Sequence, residues 1–546
     1  GNQRYYYDSS SRNNNGIFMN GGTANVNYAT LNINSSGTGM LMSGNSTGTV
    51  TGGTFNVNSG DRERNGIIAK AKVTMTGTNN FNITGDESNG VVVAAGGSID
   101  STGTQIDINA DKVNGINITN AASGASKVTN GYIKINGGTE NNGIYVKAQN
   151  LDTKNVQFIV NTTNGLNNAI YNETTGTLSD EDSDFTVNGS KNNAIYTKAG
   201  TVKTKNTTFK INGTTLNNGI HAATGSTAVE VKNDNYTQNF TLGSGLTESN
   251  GIYVNAGTLK VEKVGFLVNG ASADLDKNNA IYIDAAGGQA DITDDSRFFI
   301  YGDESNGILA AASSSNKVLN VTDSSFTVGN GSGTPTGTQK RNNGVYTKRE
   351  LNSTRTSYTV NGTNSNGIYA DGEGSGKKFT VDGGTFTING SYNNGIINKS
   401  HASGSKVLNA TFKVQGTNNN GVYLTRKTKL DEISDSSFTV GDTNVGIHVG
   451  DNRVATEKAK VLDMKNTSID VTATNATAAG DNNGTGIYIY NGDVKFGEGS
   501  SITGNGNDVL ITFDTPNNKS QNTLEFGGTA TNPTKLTTTA ANSHNN

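Results

Sequence analysis

Few residues in this chain stand in a pattern that could do chemistry, and most of those are carboxylates. Asp180-Glu181-Asp182-Ser183-Asp184 is the densest acidic run, Asp294-Asp295 is a second, and Gly-Asp-Glu-Ser-Asn-Gly occurs twice, at 85–90 and 302–307. Glycoside hydrolysis needs two carboxyl groups on one face, about 5 to 10 Å apart. These acids fall instead in predicted turns, and no acidic column runs along a strand face. The duplicated hexapeptide reads as a repeated corner, and the acidic runs as solvated turns rather than a cation site. Calcium-binding Gly-Gly-x-Gly-x-Asp repeats are absent. His221, His401, His448 and His544 are too few and scattered for a metal or a nucleophile dyad. With no cysteine, disulfides and thiolate metal sites are impossible, and neither Gly-x-Ser-x-Gly nor a P-loop occurs. The pattern predicts no catalytic residue, no metal and no cofactor: a binding or structural protein, not an enzyme, with a β-helix polysaccharide lyase or hydrolase as the enzymatic alternative.

Recognition chemistry is better represented. Tyr145, Tyr171, Tyr196, Tyr253, Tyr282, Tyr346, Tyr369 and Tyr423 each lie two residues beyond a Gly or Ala that recurs through the chain. Tyr is enriched in recognition surfaces, and stacked rings gain about 0.5 to 1.5 kcal/mol per pair. This column therefore either stabilises a sheet or forms an aromatic strip for sugars or a partner protein. Lys340 and Arg341 are further candidates, because they close an insertion at 330–341. Other insertions fall at 222–238, 271–277, 449–460 and 473–483, and such loops often carry binding.

What must position these residues is a repeat. The recurring Gly or Ala falls at eighteen places from Gly16 to Gly486, most often 23 to 29 residues apart, the period of a solenoid. Ile, Val or Met follows it and should point inward, so that the next residue, often Tyr, points outward. Fifteen to twenty residues later comes Phe-x-Val or a variant, and twelve of the eighteen phenylalanines stand in this register. Leu31, Ile106, Ile133, Tyr358 and Ile469 fill it elsewhere. A looser strand lies between, as at Thr201-Val202-Lys203-Thr204. Helical repeats need longer periods and helix formers, whereas here β-branched residues alternate with Thr, Asn and Lys. The reading is an all-β, right-handed parallel β-helix with three short strands per rung of about 25 residues, and roughly 18 to 20 rungs. Asn precedes the anchor in fifteen of eighteen repeats, as a left-handed corner residue and a stacked amide ladder.

Composition agrees. Hydrophobic residues make up 32% of 546, enough for a thin core that grows by length. Net charge is −4 with both signs interspersed, so no footprint for nucleic acid appears. No apolar run is long enough to cross a membrane as a helix. Residues 1–513 read as one continuous β-helix segment, and 514–546 as a terminal rung remnant leading into a Thr/Asn-rich tail.

The repeated Asn-Asn-Gly-Ile-Tyr and Phe-Thr-Val-Asn-Gly units, with Asn/Thr/Lys/Gly richness and no cysteine, resemble the passenger domains of large type V autotransporter adhesins of the fusobacterial outer-membrane kind. The resemblance covers about residues 11–513. It implies export through the outer membrane, display on the bacterial cell surface, and attachment to host cells or other bacteria by binding a receptor protein or glycan. It also implies membrane attachment only through a C-terminal translocator barrel missing from this sequence, and a monomeric passenger. The alternative is a structural stalk that presents a distal binding domain.

Overall fold

The computed structural model describes residues 14–34, 36–58, 64–119, 122, 124–163, 165–224, 227–269, 277–312, 317–329, 341–372, 376–451, 457–474, 484–511 and 522–538. Among them every regular element is a β-strand. The strands wind as a right-handed parallel β-helix of about 17 turns with rungs of about 27 residues. That is slightly fewer and longer turns than anchor spacing suggested, because the insertions lengthen several rungs. The chain divides into two compact units, Gly1–Val264 and Gly265–Asn546.

In the first unit a rung is built from Asn142–Val146, Leu151–Lys154 and Gln157–Thr162, and the next from Asn168–Asn172, Thr177–Glu181 and Asp184–Gly189. Each strand pairs in parallel with its equivalent one rung on: Ile144 with Ile170, Leu151 with Leu178, Phe158 with Phe185. Alternation sends Ile144 and Val146 inward and leaves Tyr145 half-buried outside. Phe158, Phe185, Phe209 and Phe240 stack face to face in the core with centroids 4.5 to 5.0 Å apart.

The second unit repeats the plan from Asn279–Ile283 onward. Its core carries an unbroken stack through Phe266, Phe298, Phe326, Tyr358, Phe386, Phe412 and Phe438, at 4.4 to 5.0 Å. Tyr358 fits this apolar register because its buried hydroxyl meets Ser353 Oγ at 2.9 Å. Thr523–Phe526 and Lys535–Thr538 add strands onto Gly492–Phe496 and Ser501–Gly504, so the coil continues past residue 513. Residues 539–546 lie outside the described residues.

The corners revise one sequence argument and support another. The Asn before each anchor is not the left-handed residue; that conformation falls two positions earlier, at Glu140, Lys191, Leu216, Glu248, Glu304 and Tyr392. The ladder is real. In the first unit Asn89, Asn114, Asn142, Asn168, Asn193, Asn218 and Asn250 each donate Nδ2 to Oδ1 of the Asn one rung earlier, at 2.9 to 3.0 Å. In the second, Asn306, Asn343, Asn366, Asn394 and Asn420 do the same at 2.8 to 2.9 Å. The preceding Asn works differently: Asn167 and Asn192 accept a backbone N–H from Asn141 and Asn167 of the rung before. The anchor itself is small because the next rung sits over it: a Cβ on Gly219 would lie 2.5 Å from the Gly251 carbonyl oxygen.

Two expectations fail. Asp180 is not in a solvated turn: it belongs to Thr177–Glu181, and the parity that buries Leu178 buries Asp180 as well. The insertion at 222–238 is mostly strand, Thr227–Leu242, which pairs first with Gly200–Lys205 and then with Thr208–Ile211. Buried Asn233 and Asn239 exchange amide hydrogen bonds at 2.6 and 3.1 Å where its extra residues bulge outward. Of the remaining insertions, 271–276, 330–340, 452–456 and 475–483 lie outside the described residues.

Candidate functional site: the outward aromatic and charged columns

The first sheet needs only its inward Ile, Val and ladder Asn to close the coil, so its outward positions are free to vary. In the first unit they carry Asn117, Tyr145, Tyr171, Tyr196, His221 and Tyr253, in register. The rings form a ladder. Tyr171 and Tyr196 stack at 4.9 Å, Tyr145 meets Tyr171 edge-on at 5.2 Å, and His221 lies 4.8 and 4.7 Å from Tyr196 and Tyr253. In the second unit the column runs Tyr282, Leu309, Tyr346, Tyr369, Ile397, Tyr423, His448 and Tyr488. Its aromatic runs are Tyr346–Tyr369 at 4.9 Å and Tyr423–His448–Tyr488 at 4.5 and 4.7 Å. The eight tyrosines singled out from sequence thus do share an outward register within each unit. A stacked ladder covers ring faces, and the Tyr171 hydroxyl lies 3.3 Å from Glu173 Oε1, so what Tyr171 offers outward is its ring edge rather than a platform for sugar stacking.

Two residues beyond the rings stands a second column that sequence reading missed. In the first unit it holds Lys147, Glu173 and Lys198 on successive rungs; in the second, Lys348, Asp371 and Lys399. Backbone bonds from Lys147, Glu173 and Lys198 to the rung before keep these positions in the sheet pattern. Tyr145 donates its hydroxyl to Glu173 at 2.6 Å, and the Lys198 ammonium lies 2.6 Å from the other carboxylate oxygen. Tyr346 likewise donates to Asp371, and Lys348 pairs with Asp371 at 3.3 Å. Lys147, Lys198, Lys348 and Lys399 sit 5.1 to 5.9 Å from the centroids of Tyr145, Tyr171, Tyr346 and Tyr369. The sequence signal was present as Tyr-x-Lys, Tyr-x-Glu and Tyr-x-Asp.

Electrostatics follow from the geometry. Burial and the Glu173 carboxylate hold the Tyr145 hydroxyl well above its ordinary value, and burial with Asp371 does the same for Tyr346. Burial alone would raise Glu173, but the bonds from Lys198 and Tyr145 outweigh it and leave the carboxyl low. Burial pushes His221 and His448 down to about 4, so both are neutral rungs of the aromatic ladder.

The other candidates lie at corners of the coil or outside the described residues. Arg341 is a left-handed corner residue whose guanidinium reaches Glu304, at the equivalent corner one rung earlier, at 2.6 Å. Lys340 lies outside the described residues. The duplicated Gly-Asp-Glu-Ser-Asn-Gly segments are equivalent corners, with Glu87 and Glu304 both left-handed. Among the described residues no group of three or more His, Asp or Glu side chains is arranged to hold a metal ion.

Fold and columns together define a class: a parallel β-helix repeat protein with outward aromatic ladders. No protein-family profile and no curated protein matches the chain. Among solved structures, tailspike protein 3 of bacteriophage CBA120 aligns over 83% of this chain and 56% of its own, at 10% identity and a TM-score of 0.21. This chain thus spans little more than half the length of that protein. A mutant tailspike of E. coli bacteriophage HK620, in complex with a hexasaccharide, aligns over 90% and 71% at 10% identity and a TM-score of 0.25. The PL6 family alginate lyase AlyGC aligns over 92% and 96% at 9% identity and a TM-score of 0.16. At these scores the likenesses carry no argument about ligand or chemistry, and the fold stands on the strand pairing described above.

Proposed function

We propose that this chain is the passenger portion of a bacterial surface adhesin, exported through the outer membrane and attaching the cell to host or bacterial surfaces by binding a receptor protein or glycan. The observation that supports this reading is the outward face of the first sheet. Both units keep ordered ring edges and paired charges there, although the inward Ile and Phe columns already close the coil. In this reading the protein binds and does not catalyse: Glu173 and Asp371 are occupied by Tyr and Lys partners, and Asp180 is enclosed in the core. One observation favours a second reading, a passive stalk. The faces of Tyr171 are covered by its neighbours, and the Tyr145 and Tyr346 hydroxyls are spent within the protein.

Competition separates the two. Added in solution, the purified 546-residue chain should block attachment of cells that display it; a stalk would leave attachment unchanged at saturating concentration, and that outcome would sink the adhesin reading.

A further inference from the structure

The arrangement Lys–acid–Lys beside a tyrosine column occurs twice, once in each unit, and it has identifiable borders. Thr119 precedes Lys147 and Ala223 follows Lys198; Ala311 precedes Lys348 and Thr425 follows Lys399. Each triad is therefore an isolated block of charge, two ammoniums around one carboxylate, flanked by short side chains. Its lysines stand two rungs apart, about 9.6 Å along the coil at the usual strand spacing. Exposed tyrosine edges beside them carry the positive end of the ring quadrupole. The face also holds a carboxylate of its own: Glu173 is gripped by a tyrosine hydroxyl and a lysine ammonium, and Asp371 in the same way. An ammonium has three donors, so Lys198 and Lys348 keep capacity beyond these internal bonds. Lys147 is exposed and carries no ion pair among the described residues.

Resting on the reading of this face as a recognition surface, we propose that each triad, Lys147–Glu173–Lys198 and Lys348–Asp371–Lys399, binds an acidic glycan that carries one carboxylate per disaccharide. The two lysines take successive sugar carboxylates, and the central acid accepts hydroxyl hydrogen bonds from the intervening sugar. A disaccharide repeat matches the two-rung separation of the lysines. Neutral glycans offer the lysines nothing, and a protein partner has no reason to match the same spacing in both units.

The test uses the full chain and immobilised hyaluronan, with dextran as the neutral probe and dextran sulfate as the sulfate probe, read by surface plasmon resonance at low and physiological salt. Binding to hyaluronan and not to dextran is expected, weakening with salt as exposed charge contacts do. Lys147→Gln with Lys198→Gln, and Lys348→Gln with Lys399→Gln, should each weaken it, and all four together by about tenfold or more. Lys203→Gln with Lys205→Gln, on the second sheet, is the charge-matched control, and circular dichroism confirms folding of every variant. No hyaluronan binding, binding to dextran sulfate alone, or equal loss in the control overturns the proposal. A wild-type chain that blocks cell attachment yet ignores hyaluronan removes this inference and leaves the adhesin reading standing. Hyaluronan binding without any block of attachment does the reverse.

Discussion

Replacing Asp180 by Asn should stabilise the first unit at neutral pH, an unusual outcome for a buried hydrogen-bonded residue. Its carboxylate is fully enclosed and accepts Thr153 Oγ1 at 2.5 Å and Thr207 Oγ1 at 2.6 Å. Burial pushes it from 3.8 to about 6, the hydroxyl bonds only partly compensating. Between those values the folded protein binds a proton that the unfolded chain has released, so stability rises as pH falls through 6 towards 4. Above pH 7 the raised value corresponds to a cost of about 3 kcal/mol, of which about 2 kcal/mol is recovered by pH 4.5. Asn is neutral and of the same shape. Its Oδ1 can keep the Thr153 bond, and Thr207, which also reaches the Lys205 carbonyl at 3.2 Å, can turn its proton there and accept from the new amide. Asp180→Asn should therefore gain about 2 to 3 kcal/mol at pH 7.5 and much less at pH 4.5. Urea unfolding at both pH values measures the difference, with hydrogen exchange of amides in residues 151–211 localising it to these rungs. A stability difference between variant and wild type that does not change with pH, or a loss at pH 7.5, would refute the account.

Two more predictions rest on single columns. His448 stays neutral between Tyr423 and Tyr488, while an unfolded histidine takes a proton below about 6.5; because its folded value is depressed, stability falls as pH drops from 6.5 towards 4, by about 2 to 3 kcal/mol at pH 4.5. His448→Phe should make that part of the pH profile of thermal unfolding shallower, leaving the share that His221 contributes, and an unaltered profile would show that the His448 ring titrates normally. Phe412→Ala removes the ring between Phe386 and Phe438 and should cost about 3 to 5 kcal/mol in denaturant unfolding, whereas a cost under about 1 kcal/mol would mean that the core collapses around the gap.

How much of this was legible depends on how local the cause is. Ile144, Phe158 and Tyr145 declare their directions through a two-residue alternation and a fixed repeat, so the coil, its core and its outward tyrosines follow from spacing alone. Asp180 was misread because five acidic or polar residues in a row look like a turn; yet Leu178 sets the parity, and counting two onward would have turned the carboxylate inward. The charged triads were missed for a related reason. Lys147 and Glu173 look like ordinary solvated residues until rungs 26 residues apart are overlaid. The left-handed corners had no type-based signal, since Glu140, Lys191 and Leu216 share nothing but position; the stacking of the rungs imposes their conformation on whatever residue arrives there.

The asparagine ladder has an electrical consequence. Along parallel strands the backbone amides point alternately up and down the stack, so their dipoles largely cancel. The ladder amides do not alternate: from Asn250 back to Asn89 every Nδ2–H points towards the earlier rung, ending on Asn65 Oδ1. Each unit is therefore threaded by a one-way wire of aligned amides, polarised like a helix, with its positive pole towards its first ladder rung and its negative pole towards its last. Breaking one amide divides that wire into two shorter dipoles, so the loss is felt by rungs that never touched the altered residue.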